Sequence, residues 1–567
     1  MTGPASPSVV IVGAGPTGVT AAALLALYGV DSLILERWDD IYPQPRAVHL
    51  DDEIYRILGK LGIADDFAAI SRPALGLQVI EGDGRILARF ERSPDTAVNG
   101  YPQANLFDQP ALERLLRNRV AELPLATLRS GAEVVGLTCS GTVGDPITID
   151  VRDAAGGIIE QITTRFVLGC DGANSLVRKA IGATMRDLRF EQHWLVVDVD
   201  TTADLGQWDG VHQLSDRGRA GTYMRIGPTR YRWEFRLLPG ETADDFSGIE
   251  SLLPLLKPWT GSTPAADLHL IRCAGYTFRA QVADHWQHGG VFLLGDAAHL
   301  TPPFIGQGMG AGLRDAYNLC WKLAAVLHGQ RRPDTFLATY QQERRPHALA
   351  MIRSAMLIGF AMTGGGMAGS AFRTAALPRA SKIPGIGRAA TTSETPRLHP
   401  SALIARSRRP CALEGTLCPN LRVDDRRRLD DVTLGYTVIT LDPPEPDDRR
   451  YWSAFPATIV RVDGNSDLGR RLARGRNRAA LVRPDGTVRA GATSLARLAM
   501  IVQDRFGGFT LVLGSFRGYL STRLPVGPPA CARPEVLKPR PVVGRSSGLP
   551  EHRGPVAMGS RVAVTSR

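Results

Sequence analysis

The sequence lacks any run of eighteen or more uncharged apolar residues. A transmembrane helix needs about 20 predominantly apolar residues, so we expect no membrane span. The N-terminus also lacks a basic segment followed by a separate apolar segment, since a short polar stretch leads directly into Val9–Val12. A secretory signal peptide needs both segments, and we therefore expect none.

Cysteines are few and widely spaced. The chain has seven, with no C-x-x-C pair and no histidine spacing typical of a zinc site. This pattern argues against a disulfide framework, dithiol chemistry or a metal centre. It fits a reducing compartment, so we expect a cytoplasmic protein.

Charge of one sign is not concentrated in any segment. The net charge is +11, but the basic residues are spread along all 567 positions. The cluster Arg426–Arg428 directly follows Asp424 and Asp425, which is typical of a solvated surface. We expect no nucleic-acid partner, although a positive field would attract anionic substrates and nicotinamide nucleotides.

One stretch that carries chemistry runs from Gly295 to Gly310. Four apolar residues, Val291–Leu294, predict a buried strand that ends at Gly295 and Asp296. A Pro/Gly-rich loop then leads into a helix, whose start carries about half a positive elementary charge. Glycines let a flat group approach backbone N–H groups. The stretch therefore suits a polar ring that becomes anionic, or merely a strand end followed by a helix cap.

A second motif lies near the N-terminus. The strand Val9–Val12 is followed by G-x-G-x-x-G over Gly13–Gly18, a helix of small residues, and the strand Ser32–Leu35, which ends at Glu36. This is the dinucleotide-binding fingerprint in its required setting. It predicts a pyrophosphate at the helix N-terminus and ribose hydroxyls on Glu36. The alternative is a chance glycine-rich turn.

The residues alone leave two alternative roles for each of three further positions. Arg46 follows the second strand, where it can reach a pyrophosphate or pair with the carboxylates of Asp51–Glu53. Gln109 stands just before a proline, a place that also suits a helix start. Asp171-Gly172 follows a buried strand and forms either a second directed carboxylate or a common turn.

From about 186 to 285 the pattern alternates with period two. Tyr231, Trp233 and Phe235 alternate with charged residues, which predicts a half-buried sheet with one aromatic face. That face either covers a pocket for an aromatic ligand or belongs to the core.

The length predicts about three or four domains. A nucleotide domain is expected in two parts, separated by the sheet domain and followed by a linker, a last domain and a poorly ordered tail. The nucleotide domain is predicted at 1–185 and 286–360, and the sheet domain at 186–285. The linker is predicted at 361–400, the last domain at 401–510 and the tail at 511–567.

Three motifs in this order, Gly13–Gly18, Asp171-Gly172 and Gly295-Asp296, resemble the single-component FAD-dependent aromatic hydroxylases of the phenol hydroxylase group. The resemblance implies an α/β (α+β multidomain) fold, with a Rossmann-like FAD domain interleaved with an antiparallel-sheet substrate domain. Residues 401–510 resemble, more weakly, the thioredoxin-like C-terminal domain of that group, with a structural or dimerisation role. Longer strings that carry the resemblance are Pro45–Val48, Asp51–Glu53, Arg232–Phe235, Leu238–Glu241, Gly295–Met309 and Tyr340–Arg345.

The resemblance implies a set of cofactor-binding residues. Asp171-Gly172 belongs to a motif associated with both FAD and NAD(P)H, and Asp296 would hold ribityl hydroxyls. Relatives usually have Asn at the position of Gly310, but a contact through the backbone N–H survives that change. The implied FAD-binding residues are Gly13, Ala14, Gly15, Pro16, Thr17, Gly18, Glu36, Arg37, Arg46, Gln109, Asp171, Gly172, Gly295, Asp296, Gly308, Met309 and Gly310.

The implied activity uses NADH or NADPH, FAD and O₂ to hydroxylate a phenol ortho to its hydroxyl group in aromatic catabolism. The expected substrates are 3-(3-hydroxyphenyl)propionate and 3-hydroxycinnamate. Pro303, by family position, would direct its backbone carbonyl at the transferred oxygen. His299 and Tyr223 are candidate bases on chemistry alone, and the alternative for His299 is a buried structural residue. Tyr223 and Arg225 are the expected substrate-binding residues. The candidate partners of the substrate carboxylate are Arg189, Arg225 and Arg236.

Other functions stay open. A different phenol, a resorcinol or a polyketide-type ring is an alternative substrate, and a homodimer is possible. A flavin halogenase is disfavoured because no two of the eight tryptophans stand two positions apart. A non-catalytic FAD-bound interaction protein is the remaining alternative.

Overall fold

A computed structural model describes residues 6–506 apart from 45, 93–96, 154–158, 216–217, 364–394, 406–412, 425–426 and 433. The predicted linker lies largely outside the described residues, and the predicted tail lies wholly outside them. Among the described helices, none is both long and apolar enough to cross a membrane. The helices are α1 Pro16–Leu27, α2 Asp52–Lys60, α3 Ala64–Ile70, α4 Gln109–Ala121, α5 Leu176–Ala180, α6 Ile249–Thr260, α7 Gly308–Leu327, α8 Pro333–Leu337, α9 Thr339–Thr363, α10 Pro446–Ala454, α11 Asp467–Arg474 and α12 Leu495–Phe506.

The strands form five sheets within the described ranges. They are β1 Val9–Val12, β2 Ser32–Leu35, β3 His49–Asp51, β4 Ser71–Pro73, β5 Gly76–Ile80, β6 Ile86–Glu91, β7 Ala104–Phe107, β8 Ala126–Arg129, β9 Ala132–Thr138, β10 Ile147–Asp153, β11 Ile159–Thr164, β12 Phe166–Gly169, β13 Met185–Asp200, β14 Val211–Ser215, β15 Ala220–Arg225, β16 Arg230–Arg236, β17 His269–Ala283, β18 Gln287–His288, β19 Val291–Leu293, β20 His299–Leu300, β21 Tyr436–Thr440, β22 Ala457–Arg461, β23 Ala479–Val482 and β24 Val488–Ala492.

The nucleotide-type sheet has the order β18-β19-β12-β1-β2-β8 and is parallel except at β18. Its strands β1 and β19 are fully buried apolar runs, as expected where a parallel sheet is covered on both faces. Because they are parallel, β2, β1, β12 and β19 end at one edge. The predicted strand bounds of β1 and β2 are confirmed.

The second large sheet has the order β20-β17-β13-β16-β15-β14-β5-β6 and is antiparallel except where β14 pairs with β5. The predicted antiparallel sheet is thus confirmed. It also takes in β5 and β6, which come from the range predicted for the nucleotide domain. β6 pairs with β5, and β5 pairs with β14, which lies more than 100 residues away. No local pattern specifies such a pairing.

The last sheet has the order β22-β21-β23-β24, with α10, α11 and α12 after β21, β22 and β24. All four strands lie within the range 401–510 predicted for the last domain. The thioredoxin-like assignment stays a prediction.

A buried ion pair joins the segment before β21 to α2. Arg56 donates Nε and Nη2 to the two carboxylate oxygens of Asp430 at 2.5 and 2.7 Å, and Lys60 Nζ lies 3.3 Å away. Burial alone would raise the pKa of Asp430, but the charges of Arg56 and Lys60 outweigh it and lower the pKa to about 2.

This depressed pKa predicts an acid-sensitive contribution to stability. The ion pair stabilises the fold above the ordinary carboxyl pKa of 3.8 and loses its effect as pH falls toward about 2. Asp430→Asn should lower the free energy of unfolding by about 3 kcal/mol at pH 7. Urea titrations should give a smaller difference at pH 3. The exposed Asp267→Asn is the control, and an Asp430 effect independent of pH would contradict the prediction.

Candidate active site

The three predicted motifs meet at one edge of the parallel sheet. Cys170 N donates to Val12 O at 2.8 Å, and Leu294 N donates to Gly169 O at 3.0 Å. The loops that follow β1, β12 and β19 are therefore neighbours. Ligands of open α/β sheets bind at such carboxyl ends.

The glycines of the first loop have different roles. Gly13 has φ +101°, and a Cβ there would lie 2.6 Å from Cys170 O. A Cβ on Gly18 would lie 2.0 Å from Gly13 O, so Gly18 allows helix α1 to pack against the loop. Around a Cβ on Gly15, in contrast, there is no described atom within 4 Å. Two glycines thus build the turn, and the third borders open space.

The start of α1 fits a pyrophosphate. Gly15 is the N-cap, Pro16 occupies the first turn, and that turn contains no acidic residue. Backbone N–H groups without side-chain caps are available there to an anion. Thr17, in the first turn of α1, packs against α7, because a Cβ on Gly312 would come within 2.2 Å of the Thr17 hydroxyl oxygen.

Glu36 lies at the end of β2, beside this loop. Its carboxylate accepts from Ala14 N at 2.7 Å and from Trp38 N at 3.1 Å. Arg37 is exposed, with its guanidinium 4.9 Å from the centre of the Trp38 ring. Glu36 thus lies where the fingerprint predicts the residue that binds the ribose hydroxyls. Arg37 instead extends over the surface.

Asp171 organises the loop after β12. Its two oxygens accept from Ser175 Oγ at 2.5 Å and from Val177 N at 3.1 Å, at the start of α5. Gly172 has φ +79°, a conformation that favours glycine. The contacts of Asp171 support the loop itself, and its predicted contact with a nucleotide stays a prediction.

Arg178 is a site residue that the sequence analysis did not single out. It donates to Ala173 O at 2.7 Å and to Ala297 O at 3.0 Å. It therefore fastens the loop after β12 to the loop after β19. No local signal identifies it, since both of its partners are backbone carbonyls.

Asp296 follows Gly295 at the edge of the parallel sheet. Its side chain is accessible although protein surrounds it closely, as expected for a carboxylate that lines an internal cleft. This crowding raises the pKa of Asp296, while the charges of His299 and Arg46 oppose the shift. The carboxylate is thus available to ligand hydroxyls.

His299 does not reach this cleft. Its side chain is fully buried, and Nε2 lies 2.8 Å from Asp315 Oδ2. Asp315 also accepts from Gly295 N at 3.0 Å and from Arg344 Nε at 2.8 Å. This network supports the loop that carries Asp296, so its geometry favours a positioning role for His299 over the predicted catalytic one.

The loop after β20 leads into α7, which begins at Gly308. Pro303, Gly308 and Met309 are half-buried, and Gly310 is buried in the first turn. A Cβ on Gly310 would lie 3.0 Å from Arg314 Nη1, so a side chain there would have to displace the Arg314 guanidinium. This crowding is a physical reason for glycine at position 310, where the family resemblance leads us to expect Asn.

Gln109 fixes the segment that carries Arg46. Its Oε1 accepts from Arg46 N at 3.1 Å and from Ala47 N at 2.5 Å, while Nε2 donates to Glu113 at 2.6 Å. The Arg46 guanidinium is exposed and lies 4.7 Å from the centre of the Tyr42 ring. Gln109 therefore acts on the site through this backbone.

Tyr223 and Arg225 lie on the wrong face of the antiparallel sheet for the roles predicted for them. Tyr223 is buried against α6, with its ring 5.8 Å from that of Trp259. Arg225 folds back and donates to Gly227 O at 3.3 Å and Pro228 O at 2.5 Å. The aromatic stripe is therefore core packing, and we no longer assign these two residues to the substrate.

The opposite face of the sheet is turned toward the nucleotide motifs. Trp194 and Phe278 lie there, 5.8 and 6.4 Å from Phe304 of the loop before α7. Arg232 on the same face donates to Arg46 O at 3.0 Å. The cleft between sheet and motifs thus has an aromatic end near Pro303 and a charged end near Arg46.

The charged end is built around Asp198, which is fully buried. Arg232 donates Nε and Nη2 to its two oxygens at 2.7 and 2.8 Å, and Arg272 Nη1 lies 3.9 Å away. The sequence offered a signal for this pair, because a lone aspartate inside the apolar run Leu195–Val199 needs a buried cation. Arg236 extends from the same face, whereas Arg189 is exposed.

Across the described residues, no group of three or more His, Cys, Asp or Glu side chains is arranged to hold a metal ion.

Sequence comparison matches residues 6–355 to the family described as FAD binding domain. The probable NADH-specific resorcinol 4-hydroxylase of Rhodococcus jostii (strain RHA1) is 35% identical over 63% of this chain. That alignment spans 65% of the relative, just under two thirds. The 3-(3-hydroxy-phenyl)propionate/3-hydroxycinnamic acid hydroxylase of Burkholderia cenocepacia (strain HI2424) is 33% identical over 80% of this chain and 84% of that protein.

Two solved structures share the fold. Aklavinone-11 hydroxylase, in a ternary complex with FAD and aklavinone, has a TM-score of 0.73 at 23% identity and covers 89% of this chain and 100% of its own. OxyS anhydrotetracycline hydroxylase from Streptomyces rimosus has a TM-score of 0.70 at 25% identity, and the match covers 88% of this chain and 99% of that protein. With the motif geometry and the family match, these similarities identify the chain as a member of the FAD binding domain family, among the FAD-dependent aromatic monooxygenases.

Proposed function

We propose that the protein uses NADH and O₂ to hydroxylate a phenolic acid ortho to its hydroxyl group, with 3-(3-hydroxyphenyl)propionate and 3-hydroxycinnamate as substrates. The observation that carries the proposal is the cleft face of the antiparallel sheet. Trp194 and Phe278 form its aromatic end, and Arg272 and Arg232 provide cations at the other end. A ring that bears a carboxylate side chain matches both ends.

When bound, FAD supplies electron transfer from NADH and activation of O₂. The residues of this chain bind and orient it. The start of α1 beside Gly15 would hold the pyrophosphate, Glu36 the ribose hydroxyls, and Asp296 the ribityl hydroxyls. The first turn of α7, with Met309 and Gly310, would stabilise negative charge on the flavin pyrimidine edge through its N–H groups.

The cleft would also exclude water from the reacting ring. Phe190 and Phe304 meet at a ring distance of 5.9 Å, and Trp194 stacks on Phe278 at 5.6 Å. An apolar enclosure of this kind strengthens electrostatic contacts and limits side reactions. Pro303, next to Phe304, keeps its proposed role of directing a carbonyl at the transferred oxygen.

A second candidate substrate is resorcinol. The relative that is 35% identical is named a resorcinol 4-hydroxylase. Resorcinol carries no carboxylate, so Arg272 would then have no substrate group to bind. Arg272→Met separates the two candidates, because it should weaken only the use of a phenolic acid.

The purified, FAD-loaded protein tests the proposal. NADH consumption should rise strongly with 3-(3-hydroxyphenyl)propionate and yield its 2,3-dihydroxy product in near one-to-one ratio. Arg272→Met should raise KM for this acid at least tenfold and leave KM for resorcinol unchanged. Stimulation with peroxide but no catechol would reject the acid as substrate. Indifference to every phenol would overturn the hydroxylase assignment.

A further inference from the structure

We propose that Glu234 is the base that receives the phenol proton during hydroxylation, an inference that rests on the proposed function. Glu234 belongs to the string Arg232–Phe235, which carried the family resemblance, but none of the roles assigned above uses it. The sequence analysis offered His299 and Tyr223 instead. The His299 side chain is fully buried, and the Tyr223 ring packs against Trp259 of helix α6.

The register of the sheet puts Glu234 in the middle of the cleft face. It lies opposite Val196 on β13 and Thr222 on β15. The next cross-strand pair on the cleft face is Trp194 with Arg236. It lies two residues along the strands from Glu234, or about 7 Å. Trp194 contacts Phe304, so Glu234 lies one step from the aromatic end.

The Glu234 carboxylate remains available to a ligand. Its side chain keeps 14% of its surface accessible, whereas that of Asp198 has none. Its nearest cation among the described residues is Arg232 Nη1 at 4.0 Å, beyond hydrogen-bond distance. Arg232 instead donates hydrogen bonds from Nε and Nη2 to Asp198. A phenol O–H therefore meets an acceptor that is not already bonded to this cation.

The electrostatic surroundings suit a base. Burial raises the pKa of Glu234, Arg232 lowers it, Asp198 raises it and Arg272 lowers it, with a net upward shift. The charged groups on the cleft face around Glu234 are Arg232 and Arg236 on its own strand, Asp198 on β13 and Arg272 on β17. A carboxylate with a raised pKa takes a proton more readily than an ordinary one.

The proton balance is complete. The phenol O–H bond breaks, its proton moves to a Glu234 oxygen, and the electron pair stays on the phenolate oxygen, where it activates the ortho carbon. O₂ and two electrons from NADH supply the hydroxyl group that this carbon accepts, and the O–O bond breaks as the C–O bond forms. The carbon then loses its hydrogen as a proton, which the second oxygen atom of O₂ takes up when it leaves as water. The ring becomes aromatic again when the carbonyl oxygen takes back the proton from Glu234.

Asp108 is the rival carboxylate of this cleft. Burial raises its pKa also, and its Oδ1 lies 3.9 Å from Arg230 Nη1. Arg230 pairs with Asp200, four residues along the strand from Val196, or about 13 Å from the Glu234 row. Asp108 is thus further from the aromatic end.

Glu234→Gln tests the inference in the FAD-loaded enzyme. Catechol formation at pH 7 should fall by about 100-fold, the usual contribution of a general base. FAD content, anaerobic reduction by NADH and Kd for the phenol should stay near wild type, while peroxide release rises. The loss should shrink to below tenfold as pH approaches the phenol pKa of about 10, and also with a fluorinated, more acidic phenol.

The exposed Glu191→Gln is the matched control and should behave as wild type. A Glu234→Gln loss of equal size at every pH and for every phenol would indicate a structural role and overturn the inference. The same would follow if Asp108→Asn, and not Glu234→Gln, gave the pH-dependent pattern. A wild-type enzyme that ignores all phenols overturns the proposed function and leaves Glu234 no phenol proton to receive.

Discussion

Gly18→Ala is expected to abolish FAD binding and to lower the free energy of unfolding by about 3 kcal/mol. The added Cβ would lie 2.0 Å from Gly13 O and 3.2 Å from Ile11 Cγ2. The nearer atom belongs to the backbone of the loop and cannot rotate away. Helix α1 must therefore move, which displaces the N–H groups that would bind the pyrophosphate. Flavin absorbance after gel filtration and urea unfolding measure both effects.

Gly15→Ala separates binding from folding. No described atom lies within 4 Å of a Cβ at this position, so the apoprotein should unfold at the urea concentration of wild type. The methyl group would instead project into the space proposed for the cofactor, and Kd for FAD should rise at least tenfold. Gly464→Ala, whose Cβ also meets open space, is the control. A stable, FAD-replete Gly18→Ala protein would contradict this account of the loop.

Glu343→Gln is expected to have the largest effect on stability, a loss of about 4 kcal/mol. Glu343 accepts from Arg483 Nη1 at 2.8 Å and Nη2 at 3.0 Å, and from Lys322 Nζ at 2.9 Å, all fully buried. Burial would raise the pKa of Glu343, but the charges of Arg483 and Lys322 outweigh it and hold the pKa well below its usual range. The amide would leave the buried Lys322 ammonium without an ion-pair partner among the described residues, and Arg483 with Asp485 alone.

The measurement is urea unfolding at pH 7, with the exposed Glu250→Gln as control. Because Arg483 follows β23 while Glu343 and Lys322 lie on α9 and α7, early exposure of the last sheet to proteolysis should accompany the loss. A depressed pKa stabilises above the ordinary carboxyl pKa, so the wild-type advantage should decline in acid. A Glu343→Gln loss no larger than that of the control would contradict the prediction.

Much of the nucleotide site could be predicted from the residues. Val9–Val12 and Ser32–Leu35 are short buried strands whose ends are marked by glycine and by Glu36, and both bounds agree with the structure. The adjacency of the three motifs came from the structure, in which the parallel strands β1, β12 and β19 end at one edge. Local pattern was sufficient where a backbone conformation or a strand end determines the geometry.

The substrate side could not be predicted in the same way. Period two shows that the faces of a strand differ, but it does not show which face meets the nucleotide motifs. Helix α6 covers the aromatic face that includes Tyr223, which leaves Glu234, Asp198 and Arg272 in the cleft.

The sequence by itself determined the family, the FAD motifs and the two kinds of sheet, because these depend on contiguous residues. Only the tertiary structure decided that His299 belongs to a buried network with Asp315, that Arg178 joins two loops, and that the charged face of the sheet borders the site. The physical reason is that these roles depend on partners far away in the chain, which burial and long-range pairing select.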